Sequence, residues 1–208
     1  MGRSSEQKLP VTDTKAEVED MAEEETIYDG IKERLYETMV QRVKPCKWVL
    51  DVGCGNCKLV NALAEKAGCR VTGVDIDDSG FAEGMKEAQD SHISDRIDCI
   101  KADARSLTSV VTRTYEVAVS VYALHEYEEP LRVLEQVLEV LETGGRMIVV
   151  DHLKGSTAEK LWSEEYYTAR QVEDMLRETG FGNVKSELLE GRELVLCEGS
   201  KTIGAERF

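Results

Sequence analysis

The stretch 48-WVLDVGCGNCKLV-60 runs from an apolar segment through Asp51 into a turn holding Gly53 and Gly55, and then into a second apolar pattern. A short apolar run closed by glycine reads as a buried strand, and 58-KLVNALAEKA-67 has the spacing of a helix. Strand, glycine turn and helix open an α/β unit, whose loop lies at the carboxyl end of a parallel sheet, where such sheets bind ligands. Two chemistries compete for this loop. Gly53-x-Gly55 lets a ligand approach the backbone closely, whereas Cys54-x-x-Cys57 has the spacing of a metal or redox pair.

Outward from this stretch the alternation of strand and helix continues. Counting 47-KWVLDV-52 as the first strand, 70-RVTGVD-75, 97-IDCIK-101, 115-YEVAVSV-121 and 146-RMIVVD-151 follow with helical segments between them. The segment 131-LRVLEQVLEVLE-142 carries Leu131, Leu134, Val137, Leu138 and Leu141 at helical spacing, with Pro130 in its first turn and Gly144-Gly145 as its stop. Thr168 and Gln171 have capping-box spacing, Tyr167 and Val172 can close a hydrophobic staple, and that helix runs to about Glu178 before Gly180. Two last strands, 184-VKSELL-189 and 193-ELVLCE-198, turn back through Glu190-Gly191-Arg192 and add an antiparallel element at the sheet edge. Ahead of the sheet, Ile31, Leu35, Met39 and Val43 recur every four residues and form one face of a helix that packs on the domain. The expected organisation is an acidic tail over 1–26, one α/β domain over 27–198 and a short tail over 199–208. The sheet has seven strands, mostly parallel, with one antiparallel edge strand, helices on both faces and an N-terminal helical cap.

The formal net charge of -15 opposes a phosphate backbone, because nucleic-acid affinity comes from Lys and Arg displacing counterions, and no Lys/Arg-rich block interrupts it. No apolar run reaches the roughly 20 residues of a membrane span, and the N-terminus lacks a signal-peptide pattern. The expectation is a cytoplasmic protein, monomer or homodimer, with neither nucleic acid nor membrane as partner. Its six cysteines are then free thiols.

A dinucleotide fingerprint needs a third glycine where Lys58 stands, and an aspartate beside the turn suits an ammonium group better than phosphates. The whole order of segments resembles a class I S-adenosylmethionine (SAM)-dependent methyltransferase over about residues 28–198. VLDVGCGNC resembles that family's SAM loop, VTGVDID its acidic second strand end, IKADA its adenine segment, YEVAVSVYALHEY its fourth strand and loop, and VLETGGRMIVVDHL its fifth. The resemblance implies a Rossmann-like fold with SAM as methyl donor and S-adenosylhomocysteine as product. It implies that Gly53 and Gly55 let the loop approach the methionine part of SAM near Asp51. Asp75 would accept from the ribose hydroxyls with Ile76 against adenine, Asp103 and Ala104 would contact adenine, and Ser120 and Val121 would line the methyl-donor end. Cys57 departs from the family, which commonly has a third glycine there.

Position singles out further candidates. His125 follows the fourth strand and His152 the fifth, so both face the mouth with Glu126 and Asp151. They can act as a general base, hold a metal, or orient loops and hydrogen-bond the substrate; no metal is assigned. Tyr28, Trp162 and Tyr166 can form an aromatic lid over the acceptor. The CxxC pair reads as loop packing: a structural zinc site needs four ligands, the first strand holds Cys46 roughly 20 Å from Cys54, and Cys69 and Cys99 lie in other segments. The expected function is methyl transfer to a small-molecule acceptor. The alternatives are a non-catalytic SAM-binding module, a protein methyltransferase and, less favoured, a nicotinamide-dependent oxidoreductase.

Overall fold

Among the described residues, seven strands form one sheet: β1 (Trp48–Val52), β2 (Arg70–Asp75), β3 (Ile97–Lys101), β4 (Tyr115–Val121), β5 (Leu141–His152), β6 (Gly182–Leu189) and β7 (Leu194–Ser200). Their order is β3-β2-β1-β4-β5-β7-β6. The five strands from β3 to β5 pair in parallel, and β7 pairs antiparallel with both neighbours. The expected sheet is therefore present, with one refinement: the reversed strand lies second from the edge, and β6 beyond it runs with the others. The coordinates are a computed structural model that describes residues 30–202. The expected acidic tail, Tyr28 and the last six residues lie outside that range. Among the described residues the chain divides after Leu35, and the part from Tyr36 onward holds the whole sheet.

Buried strands explain the near-continuous apolar runs in the sequence, because a parallel sheet is covered on both faces. One face presents Leu50, Val52, Ala118, Met147 and Val149 to a core completed by Leu107, Val133, Leu134, Val137, Val172 and Leu176. These last residues come from α4 (Leu107–Val110), α5 (Pro130–Val140) and α7 (Ala169–Glu178). On the opposite face Val49, Val119, Ile148 and Val150 are completely buried. Helix α1 covers 30–43, and Ile31, Leu35, Met39 and Val43 are all buried, as their spacing predicts. Its later turns join the sheet through Arg42, which pairs with Glu198 at 3.2 Å and whose carbonyl accepts from Arg146 at 3.0 Å.

Local signals explain most boundaries. Thr168 caps α7 in a reciprocal capping box with Gln171, and Gly180 ends it at φ 102°. Pro130 occupies the first turn of α5. The helix expected over 131–142 stops at Val140, because Leu141 pairs with Tyr115 and opens β5 five residues early. Glu142–Gly145 then form an irregularity before Arg146 pairs with Val117. The helix expected over 58–67 divides into α2 (Lys58–Ala62) and a wide turn over Leu63–Ala67. Two shorter helices, α3 (Phe81–Asp90) and α6 (Thr157–Trp162), lie in the crossovers, and β7 extends to Ser200, two residues beyond the expected domain end.

Candidate active site

Strand order reverses between β1 and β4, each of which sends its chain to the opposite side of the sheet. The crevice at the carboxyl ends of these two strands is the expected ligand position of such a fold. Gly53 and Gly55 leave β1 there, Asp75 and Ile76 end β2, Ser120 and Val121 end β4, and Asp151 and His152 end β5.

The β1 loop is built for close approach. Gly53 has φ +77°, and a Cβ there would lie 2.4 Å from the Ala123 Cβ and 2.9 Å from the Tyr127 hydroxyl, so the β1 and β4 loops meet only because it has none. Gly55 has φ +50° and open space where a Cβ would be. Its amide donates to Asp75 Oδ2 at 2.8 Å, while Asp75 Oδ1 accepts from the Asp77 amide at 3.0 Å. Asp75 thus draws the glycine loop to the end of β2. Beyond it Ile76 is 66% exposed, an apolar side chain with nothing covering it.

Asp51 is buried at the base of the loop, and its Oδ2 has no hydrogen-bond partner. Burial, with the Cys99 thiol and the Asp75 charge adding to it, pushes this carboxyl up to about 8. A buried carboxyl with an unused oxygen can accept a cationic donor, which would bring it back toward its ionised form. Tyr36 of α1 lies close enough that burial and the charge of Asp51 raise its phenol above the ordinary range. Together the open glycine turn, the orphaned Asp51 oxygen and the exposed Ile76 fit an amino-acid-bearing nucleoside such as SAM. Asp103 is differently placed. Its carboxylate caps the following turn and is held by Arg105 through the backbone amide at 2.8 Å and Nη2 at 2.7 Å, so any adenine contact must share it. Ala104 follows in that turn, half-buried.

Across the crevice, Asp151 organises a histidine. Its carboxylate accepts from the backbone amides of His125 and His152 at 3.0 and 2.8 Å, and lies 2.8 Å from His125 Nδ1. With the Nδ1 proton directed to the carboxylate, Nε2 carries the lone pair. Burial alone would lower the His125 pKa, but the Asp151 hydrogen bond and charge, with Glu126 and Glu164, outweigh it and raise the value. On its other side, Nε2 lies 3.3 Å from Glu164 Oε2, which also accepts from the Tyr166 hydroxyl at 2.7 Å.

His152 has a different environment. It stacks on Tyr122 with ring centroids 4.6 Å apart and meets Trp162 and Tyr166 at 5.2 Å each. Burial first, then the neighbouring His125, lowers its pKa to about 4 against the opposing pull of nearby carboxylates. A ring that stays neutral at pH 7 inside an aromatic group is a weak base. Tyr122 reaches that stack with φ 58°, a left-handed conformation unusual for an aromatic residue. Ser120 is completely buried and hydrogen-bonds Tyr127 at 3.1 Å, and the Tyr127 hydroxyl donates to the Val52 carbonyl at 2.9 Å. Val121 is half-buried beside them, and Glu126 points to solvent. Among the described residues no three His, Cys, Asp or Glu side chains converge in a way that could hold a metal.

Asp151, Glu164 and Tyr122 are the residues whose roles sequence reasoning missed or left general. Asp151 lay in view as the last acidic residue of an apolar strand. Neither Glu164, on the far side of α6, nor the backbone conformation of Tyr122 carries a signal of its own.

Residues 49–145 match a family described as a methyltransferase domain. The match covers just under half of the chain, which over those residues is similar to that methyltransferase domain. Among curated relatives, the sterol 4-C-methyltransferase strm-1 of Caenorhabditis elegans is 30% identical over 60% of this chain and 36% of its own length. The ubiquinone/menaquinone biosynthesis C-methyltransferase UbiE of Roseobacter denitrificans is 27% identical over 50% of this chain and 41% of its own. The chain thus spans less than half of these relatives. Among solved structures, the cyclase SpnF superposes with a TM-score of 0.73 at 20% identity, covering 82% of each chain. The phosphoethanolamine N-methyltransferase 2 of Haemonchus contortus, in complex with SAM, gives 0.69 at 13% identity over 82% of this chain and 53% of that one.

Proposed function

We propose that this chain binds SAM in the β1 loop and transfers its methyl group to a small molecule whose proton His125 removes. The arrangement of Asp151 and His125 Nδ1, with Nε2 turned away from Asp151 toward Glu164, carries this reading. SAM, when bound, supplies an electrophilic methyl on a positive sulfonium. Asp51 would hold its ammonium, the Gly53–Gly55 backbone its methionine chain, Asp75 the ribose hydroxyls, and Ile76 with Asp103 and Ala104 the adenine. Val121 lines the passage from there to the acceptor, and Ser120, completely buried, ties the end of β4 to Tyr127.

His125 Nε2 takes a proton from the acceptor, and Asp151 stabilises the imidazolium that results. Glu164 Oε2 stands beside Nε2 where an acceptor oxygen would have to come, so it must give way when acceptor enters. Tyr122, His152, Trp162 and Tyr166 make an aromatic wall in which Tyr122 and His152 stack and the other two rings meet His152 at steep angles. Such a wall beside a base suits a ring-bearing acceptor with an ionisable hydroxyl, which after proton loss reacts at oxygen or at an adjacent ring carbon. Relatives named for quinone and sterol methylation are consistent with that class.

One observation favours a second reading. A relative from Talaromyces variabilis, 30% identical over 53% of this chain, is named a SAM-dependent Diels-Alderase, and a chain of that kind need not transfer a methyl group. Incubation with methyl-labelled SAM and fractions of small phenols and other hydroxylated metabolites separates the two readings. Methyl transfer predicts label in an acceptor and stoichiometric S-adenosylhomocysteine. SAM binding with no labelled product in any fraction would contradict it.

A further inference from the structure

We propose that Cys46 and Cys69 are a redox-active pair that closes to an intramolecular disulfide without rearrangement of the fold. The two Sγ atoms lie 3.4 Å apart, and Cys69 Sγ is also 3.5 Å from the Cys46 carbonyl oxygen. Cys46 precedes β1 and is half-exposed, whereas Cys69 precedes β2 and is completely buried. Immediately beyond them the strands already pair: the Arg70 amide donates to the Lys47 carbonyl at 2.8 Å, and Trp48 stands in register with Arg70. A covalent bond would add one rung below an existing ladder, and the sulfurs need to approach by little more than 1 Å to reach the roughly 2.05 Å of a disulfide. The hydrogen bond between the two thiols, with burial, pushes Cys46 up, and the same hydrogen bond lowers Cys69; Arg146 and Lys44 favour the thiolates at Cys46 and Cys69 respectively, while Glu116 opposes both.

The oxidant is a peroxide or a low-molecular-weight disulfide. With hydrogen peroxide the half-exposed Cys46, the more accessible of the two, attacks one oxygen once deprotonated, releasing hydroxide and forming a sulfenic acid. Cys69 thiolate then attacks that sulfur, the S–S bond forms, and the second oxygen leaves as water after protonation. Two thiols and one peroxide yield one disulfide and two waters. The ring so closed encloses residues 47–68, which contain β1, the glycine loop and α2. Both sulfurs lie at the amino ends of their strands, opposite the crevice, so the bridge staples the segment that carries the loop while leaving the loop's own geometry alone.

The other cysteines supply the internal control, because Cys54, Cys57 and Cys99 lie near one another and compete for the same oxidant. Trypsin separates every candidate: Cys46 falls in peptide 43–47, Cys69 in 67–70, Cys54 with Cys57 in 48–58, and Cys99 in 97–101. On brief exposure of the full chain to hydrogen peroxide or oxidised glutathione, the expected result is a loss of about 2 Da with peptides 43–47 and 67–70 joined. Reactive thiols fall from six to four. Closing this loop should raise Tm by about 5 °C, reversed by a reductant, with SAM affinity unchanged within about twofold. Cys46→Ser and Cys46→Ala should each lose the joined peptide. Overturning results would be a first-formed bridge among Cys54, Cys57 and Cys99, a stable glutathione adduct at Cys46, or a bridge that lowers Tm.

Discussion

The two halves of the crevice are built in opposite ways. On the β1–β2 side the working groups lie within 51–76, on two adjacent parallel strands, and much of what they offer is backbone and open space. On the β4–β5 side they come from His125, Asp151, Tyr122, Trp162 and Glu164, brought together by loops from different parts of the chain. On the proposed reading the first half holds SAM through a local turn. The second is assembled from side chains whose identity is set by what they must touch, and on the proposed reading it is here that the acceptor is chosen.

The largest expected effect separates the halves by reaction rate. His125→Ala should lower turnover by about 10²–10⁴-fold, the usual contribution of a general base, while SAM affinity stays within about twofold. Single-turnover methyl transfer beside a SAM titration reads both; normal turnover would remove His125 from the mechanism. Asp75→Ala should act on the other half, weakening SAM by about tenfold or more, since a charge-assisted hydrogen bond contributes about 1.5–3 kcal/mol. Unchanged affinity would mean that the ribose lies elsewhere.

A pH effect follows from Asp51. Its carboxyl, pushed up to about 8, is largely protonated at pH 6. An ammonium beside it favours the carboxylate, so binding releases a proton and tightens as pH rises. Between pH 6 and 8 the SAM Kd should fall by at most about tenfold per pH unit and then level off. Asp51→Asn should flatten that slope, and a slope retained in the variant would place the titrating group elsewhere.

The smallest effect belongs to Cys57. It begins α2 at φ 60°, a left-handed conformation that costs a non-glycine residue about 1–2 kcal/mol. Yet its side chain is completely buried, and a Cβ on Gly84 would come within 2.7 Å of its own. Cys57→Gly relieves the strain and opens a small void, so SAM affinity should change by less than about threefold. A larger gain would show that the thiol loosens the loop.

Legibility followed the same division. The strand bounds 70–75 and 115–121 were readable to the residue because parallel strands buried on both faces leave near-continuous apolar runs, while the edge strand 97–101 was read from its short apolar segment alone. The glycine turn and Asp75 were readable because their spacing is set by one strand–loop–strand path. Leu141 was misread because it continues the apolar stripe of α5, and only pairing with Tyr115 draws it into β5. His125 was visible by position, but its difference from His152 was not: both follow strands, and only the contacts with Asp151 in one case and three aromatic rings in the other set their charges apart. The grouping of Cys46 with Cys69 was equally hidden, since it depends on β1 lying beside β2 in register.

Calorimetric titration of SAM into Asp75→Ala and His125→Ala, side by side with the unsubstituted chain, tests the division of labour most directly. The account predicts affinity lost by about tenfold or more in the first and retained within about twofold in the second. Equal affinity in Asp75→Ala and the unsubstituted chain, or a comparable loss in His125→Ala, would contradict it.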